Sequence, residues 1–214
     1  MRIQKLTHAC VRVEDGDRAI AVDPGVFSEV TEALDGAAAI LITHEHADHV
    51  DVDAVTAALA ADSSLRLYAP EAVASQFASD QATAVSAGQS LDVAGFAVST
   101  YGGQHALIHP LIPMCANVGF RIASGAAAVY HPGDSFAVPD QPVSTMLLPT
   151  SGPWMKMAEA IDFLIAVRAP RAVQVHDALL SDIGRAVVEM QVGTFGGRYG
   201  VEFQHLDLRA TAEI

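Results

Sequence analysis

Six consecutive residues concentrate reactive side chains in this sequence. His44-Glu45-His46-Ala47-Asp48-His49 holds three of the nine histidines in a chain of 214 residues. Imidazole nitrogen and carboxylate oxygen are donors that suit Zn²⁺, Mn²⁺ or Fe. On a helix, residues 44 and 46 point apart, and 44 and 49 overlap only in part. On a tight loop after a strand, all four donors can converge. The plainer alternative is a polar helix start with Asp48 or Asp51 as its cap. A cap needs one aspartate and not three histidines, so a metal-binding loop is expected.

Such a loop needs rigid elements to aim it. Ala37–Thr43 is a continuous apolar run, as expected of a strand buried on both faces, and it feeds directly into His44. Upstream, residues 2–23 read as strands with an Asp15-Gly16-Asp17 hairpin turn. Ala19–Val22 stops at Asp23-Pro24-Gly25, and Ser28–Leu34 reads as a short helix ending at Gly36. Downstream, 51–61 has helical spacing, Leu65–Ala69 is a strand, and Pro70 opens a helix at its first position. Strands are expected at 83–86, 91–93, 95–101, 116–123, 126–131, 145–148 and 172–175, with a last one near 200–206. Lys156–Val167 is the clearest helix, with Met157, Ile161, Leu164 and Ile165 on one face, and another lies near 181–191. The mixture is α/β without linker or repeat over 1–214. A four-layer αββα sandwich fits it, although composition alone does not select that fold.

Composition narrows the function. Hydrophobic residues are 51% and charged residues 17%, which suits a folded core and not a disordered chain. Lys plus Arg is 12 against 25 for Asp plus Glu, a net charge of −13 that disfavours polyanions and anionic membranes. Cys10 and Cys115 make no disulfide framework and read as free thiols. No apolar leader or membrane-length run is visible, so a cytoplasmic location is expected.

The spacing His44-x-His46-x-Asp48-His49 resembles the signature of the metallo-β-lactamase superfamily. Leu6-Thr7-His8-Ala9-Cys10 and Ile20-Ala21-Val22-Asp23-Pro24 resemble its short branch, which includes ascorbate-6-phosphate lactonase and many metal-dependent hydrolases. The resemblance covers nearly the whole chain and implies the four-layer αββα sandwich. It implies two divalent metal ions, zinc first and manganese or iron as alternatives. His44, His46 and His105 would hold one ion; Asp48, His49 and His176 would hold the other, with Asp134 bridging. His105 follows Gly102-Gly103-Gln104 and competes with His109 for its role; His109 is otherwise a substrate-binding candidate. Asp134 stands in Gly133-Asp134-Ser135, where a plain turn residue is the alternative. His176 ends an apolar strand, where a buried imidazole needs a partner.

Two such ions can share a hydroxide and clamp a carbonyl or phosphoryl centre. Asp48 would orient that nucleophile, and Asp23 would fix a ligand imidazole from behind, with His131 in a similar supporting place. His8 is a catalytic candidate for stabilising an oxyanion or leaving group, with a structural role equally open. Trp154, the only tryptophan, either lines a substrate pocket or packs on the next helix. The loop Thr150–Lys156 departs from the short hydrolases, so the lactonase substrate does not carry over. Glu45 stands one position early for the di-iron redox branch. The expected function is hydrolysis of a small ester, lactone or phosphoester. A phosphodiesterase or nuclease and a non-catalytic metal-bound scaffold are the alternatives. Oligomeric state is not legible.

Overall fold

The computed structural model describes residues 1–77 and 80–214. In chain order its first half contains β1 (Arg2–Lys5), β2 (Val11–Asp15), β3 (Arg18–Val22), α1 (Val30–Leu34), β4 (Ala39–Leu41), α2 (Val52–Ala61), β5 (Arg66–Ala69), α3 (Glu71–Ala74) and β6 (Ala82–Ala84). The second half contains β7 (Ser90–Val93), β8 (Phe96–Gly102), β9 (Val118–Ser124), β10 (Ala127–His131), β11 (Thr145–Pro149), α4 (Met157–Val167), β12 (Arg171–Val175), α5 (Asp182–Arg198), β13 (Glu202–Gln204) and β14 (Thr211–Glu213). Two seven-stranded sheets result, ordered β14-β1-β2-β3-β4-β5-β6 and β13-β12-β11-β10-β9-β8-β7.

Strand alternation explains the four layers. Ile20 and Val22 of β3, with Ala39 and Leu41 of β4, join Leu147, Val173 and Val175 of the other sheet in one central core. Their neighbours point the opposite way. Ile40 packs with Val55 and Leu59 of α2. Met146 and Leu148 pack with Phe163 and Leu164 of α4 and Val188 and Val192 of α5. Both faces of each sheet are therefore apolar, and an αββα sandwich buries them all.

The direction of the strands creates the site. β1 and β3 run the same way because each pairs antiparallel with β2, and β4 is parallel to β3. In the second sheet β8 and β10 run alike through β9, and β11 and β12 continue in parallel. The segments that follow β1, β3, β4, β8, β10 and β12 carry His8, Asp23, His44–His49, His105, Asp134 and His176.

Several boundaries differ from the sequence reading. Pro70 is the cap of α3 and not its first residue, and that helix is a single turn. α5 runs to Arg198, past the expected 191, through Gly193, Gly196 and Gly197. Gly196 serves packing there: a Cβ would sit 3.0 Å from Leu164 Cδ2 and 3.1 Å from Val201 O. The last expected strand shortens to β13, because the Gln174 amide takes over the pairing at Leu206 from 204 onward. β14 was not expected; three residues pair Arg2↔Glu213 through Gln4↔Thr211 and close the sheet edge.

Candidate metal centre

The 44–49 segment leaves β4 as a loop, and α2 begins only after Asp51 accepts Ala54 N–H at 3.0 Å. The cap and the histidine cluster are therefore separate features, and both exist. The loop is held down by Asp23-Pro24-Gly25. Gly25 lies so close that a Cβ would fall 2.0 Å from the Asp48 carbonyl oxygen. Across the gap, Gly133 (φ +61) allows the turn into Asp134; a Cβ there would meet Asn117 Oδ1 at 2.3 Å and Thr43 at 2.6 Å.

Asp134 stands in the middle of the imidazoles. Its Oδ1 is 3.2 Å from His49 Nε2, and its Oδ2 is 3.1 Å from His176 Nε2, 3.4 Å from His105 Nε2 and 3.9 Å from His44 Nε2. His46 Nδ1 lies 3.0 Å from His44 Nε2. Asp48 Oδ2 is 3.0 Å from His8 Nε2, 3.5 Å from His176 Nε2 and 3.8 Å from His49 Nε2. The donors fall into two groups, each within 4.8 Å: His44, His46, His105 and Asp134, and His8, Asp48, His49 and His176. The sequence reading did not include His8 among the donors of a group. His109 joins neither group: it is exposed, and its Nδ1 accepts the Leu111 N–H.

The imidazoles are aimed from behind. Asp23 accepts Thr43 N–H and Thr43 Oγ1–H, each at 2.7 Å, and its Oδ2 lies 2.7 Å from His49 Nδ1. Because Thr43 spends its hydroxyl proton on Asp23, its oxygen accepts from His44 Nδ1 at 3.0 Å. His105 Nδ1 faces the Ala106 carbonyl at 2.5 Å. In each case Nδ1 is the donor, which leaves Nε2 as the atom that would bind a metal at the centre. Thr43 and Asn117 went unnoticed in the sequence. Asn117 Oδ1 accepts Asp134 N–H at 2.9 Å, and its amide donates to Pro132 O at 2.8 Å. Position directly before His44 was the available signal for Thr43; Asn117 offered none. His131 bridges backbone, with Nε2 on Ala9 O at 2.8 Å and Nδ1 accepting Gly133 N–H. It stands 3.8 Å from Asp23 and braces the turn that carries Asp134.

Charge and strain both gather here. Burial opposes charge on His49, yet Asp134 and Asp23 outweigh it and raise the imidazole well above its usual range. Burial likewise opposes His176, which Asp134 and Asp48 raise to about 9. Burial acts on Asp134 too, but His49, His105 and His176 hold its carboxyl well below normal. Burial lowers His44 strongly and His46 and His8 less. His8, Asp23 and His176 have φ of 64°, 48° and 57°, a region that costs non-glycine residues energy.

A divalent ion fits this set. His49 Nε2, His105 Nε2, His176 Nε2 and Asp134 Oδ1 are buried and make no hydrogen bond. Buried polar atoms without a hydrogen bond are costly and rare, and four that meet only one another around Asp134 call for a common partner. Nitrogen and carboxylate oxygen are what zinc, manganese or iron would take. Trp154 is buried beside this centre, its ring 5.9 Å from His105, 5.7 Å from His176 and 5.3 Å from Phe136. Phe136 in turn meets Phe163 of α4 at 5.6 Å, so Trp154 is joined to that helix through Phe136.

Known proteins resemble this chain in sequence and fold. The β-lactamase superfamily domain matches residues 2–176. Protein Rv0786c of Mycobacterium tuberculosis is 37% identical over 189 residues, covering 87% of this chain and 89% of that one. A UPF0173 metal-dependent hydrolase of Xanthobacter autotrophicus is 32% identical over 151 residues, covering 63% and 62%. The metallo-β-lactamase fold protein YhfI of Bacillus subtilis superposes with a TM-score of 0.76 at 16% identity, over 99% of this chain and 98% of its own.

Proposed function

The chain belongs to the metallo-β-lactamase superfamily, and from this premise we propose that it is a metal-dependent hydrolase that cleaves a small ester, lactone or phosphoester with two divalent ions, zinc first. The observation that carries the reading is the set of buried, unbonded donor atoms on His49, His105, His176 and Asp134. His44, His46 and His105 would hold one ion, Asp48, His49 and His176 the other, and Asp134 both. When bound, such a pair supplies a nucleophile ionised near neutral pH and a Lewis acid for the substrate oxygen.

The chain's own groups do the rest. Asp23 and Thr43 keep the protons of His49 and His44 on Nδ1, so that each Nε2 stays a donor. Asp48 Oδ2 orients the attacking water and takes its proton. Asp48 returns that proton to the leaving oxygen, and His8 Nε2, 3.0 Å from Asp48 Oδ2, stabilises the charge developing on the oxyanion or leaving group. Trp154 forms one wall and excludes water. The whole-chain charge of −13 opposes nucleic acid, which would need Lys or Arg to replace its counterions. We place the enzyme in the cytoplasm on the sequence reading; among the described residues no helix is long and apolar enough to cross a membrane.

The test is a panel of p-nitrophenyl acetate, a simple lactone, bis(p-nitrophenyl) phosphate, and single- and double-stranded RNA and DNA, with zinc- or manganese-loaded protein. Hydrolysis of a small substrate, abolished by chelation and by His46→Ala, is expected. Nuclease activity that disappears in His46→Ala, with small substrates untouched, would overturn the reading in favour of a nuclease.

A further inference from the structure

Two segments that carry site residues leave apolar side chains in water. Val26 and Phe27 follow Asp23-Pro24-Gly25 and are 51% and 47% exposed. Val26 N–H donates to Ala47 O at 2.8 Å, so this segment lies against the 44–49 loop, and Phe27 meets the His8 ring edge-on at 5.4 Å. Across the centre, residues 106–115 are anchored at both ends. His105 N–H donates to Cys115 O at 3.1 Å, and Ala106 N–H to Asp134 O at 2.8 Å. Between these anchors Leu107, Leu111, Ile112 and Met114 are 56%, 86%, 45% and 41% exposed. Ile112 and Met114 also line a small cavity with His46 and His105.

Neither 24–28 nor 106–115 contains an Asp, Glu, Lys or Arg, in a chain whose Lys, Arg, Asp and Glu number 12 and 25. Solvated loops are ordinarily polar, and apolar side chains grouped at a site mark a binding surface. The two segments are continuous with the donor groups and sit on opposite flanks of them, so a substrate whose reacting carbonyl lies at the centre would run along them. Neither segment has a Lys or Arg to hold a phosphate or carboxylate, and the one histidine, His109, has its Nδ1 taken up by the Leu111 N–H.

We propose that these segments form the mouth of the hydrolytic site and that its substrate is an ester or lactone carrying an apolar acyl chain, not a phosphorylated or polyhydroxylated compound. This rests on the hydrolase reading above and narrows it.

The experiment uses zinc-loaded full-length protein with p-nitrophenyl acetate, butyrate and hexanoate, and calorimetric binding of acetate, butyrate and hexanoate. A buried methylene is worth roughly a fourfold gain in affinity. Partial burial of the four added methylenes should therefore lower KM, and tighten carboxylate binding, by roughly tenfold or more from acetate to hexanoate. Leu111→Ser and Phe27→Ser, at exposed positions, should each flatten that dependence severalfold. Turnover with no dependence on chain length would overturn the proposal and leave the hydrolase standing. Chain-length-dependent binding without turnover of any ester would uphold the apolar mouth and sink the hydrolase. A flat dependence joined to sedimentation with phosphatidylcholine vesicles, or to a dimer, either lost in Leu111→Ser, would overturn it in favour of a membrane or a second copy.

Discussion

Replacing Asp23 by Asn changes one atom in a residue that, on this account, never touches a metal, yet should cost the centre dearly. Asp23 is fully buried and is the common acceptor for Thr43 N–H, Thr43 Oγ1–H and His49 Nδ1. Asn fits the space and tolerates the φ of 48° at least as well as Asp. Its Oδ1 keeps the Thr43 amide. Its NH₂, however, faces two groups that were donating. The His49 proton must move to Nε2, the atom aimed at the centre, so that Nδ1 can accept. The Thr43 hydroxyl must turn, which also releases the acceptor that fixes His44. Two hydrogen bonds to a charged acceptor are lost, about 1.5–3 kcal/mol each before any new bonds form. That is a large part of the roughly 5–15 kcal/mol that stabilises a typical domain, but the fold should survive. Zinc affinity should fall roughly 10–100-fold, as is typical when a support behind a ligand histidine is removed. Competition with a chromophoric chelator measures the affinity, and the melting temperature of chelator-treated protein reports fold stability separately. A folded Asp23→Asn variant that holds zinc as tightly as the native protein would refute the argument that Asp23 sets the imidazole tautomers.

Asp134→Ala should strip metal and abolish activity, because it removes the one carboxylate that lies among His44, His49, His105 and His176. His109→Ala should keep both, and metal loss in His109→Ala but not in His105→Ala would reverse the choice between them. Without metal, burial opposes but Asp134 and Asp48 raise His176 to about 9. This folded value exceeds the ordinary ~6.5, so the protonated ring stabilises the metal-free protein fully below ~6.5, and that support is lost as pH rises through about 9. Zinc must displace the same proton, so the gap in melting temperature between zinc-loaded and chelator-treated protein should widen from pH 6 to pH 9. A constant gap would show that His176 gives up no proton to the metal.

The parts of this molecule written locally were legible in its sequence, and the parts that depend on distant packing were not. The apolar run into His44 announced a buried strand, and the crowding of His44, His46, Asp48 and His49 announced a loop of donors. Asp15-Gly16-Asp17 and Asp23-Pro24 marked turns that the backbone needs, with Gly16 at φ 60°. By contrast, only Gly102-Gly103-Gln104 favours His105 over His109 locally; the backbone bonds of the 106–115 loop to Cys115 and Asp134 are what bring His105 beside Asp134 and leave His109 exposed. Thr43 acts by relaying Asp23 to His44, a relation visible only once β3 and β4 lie side by side. α5 continues past the expected end near 191 through Gly193, Gly196 and Gly197, and Gly196 is small so that Leu164 and Val201 can approach. β14 has three residues, too few for a pattern, and gains its meaning from pairing with the opposite end of the chain.

The central claim is that the converging donors form a centre for two metal ions. Elemental analysis by mass spectrometry of protein purified from metal-replete medium tests it most directly. Close to two transition-metal ions per chain, mostly zinc, is the expected result. Fewer than one ion per chain, with no increase after zinc or manganese is added, would contradict it.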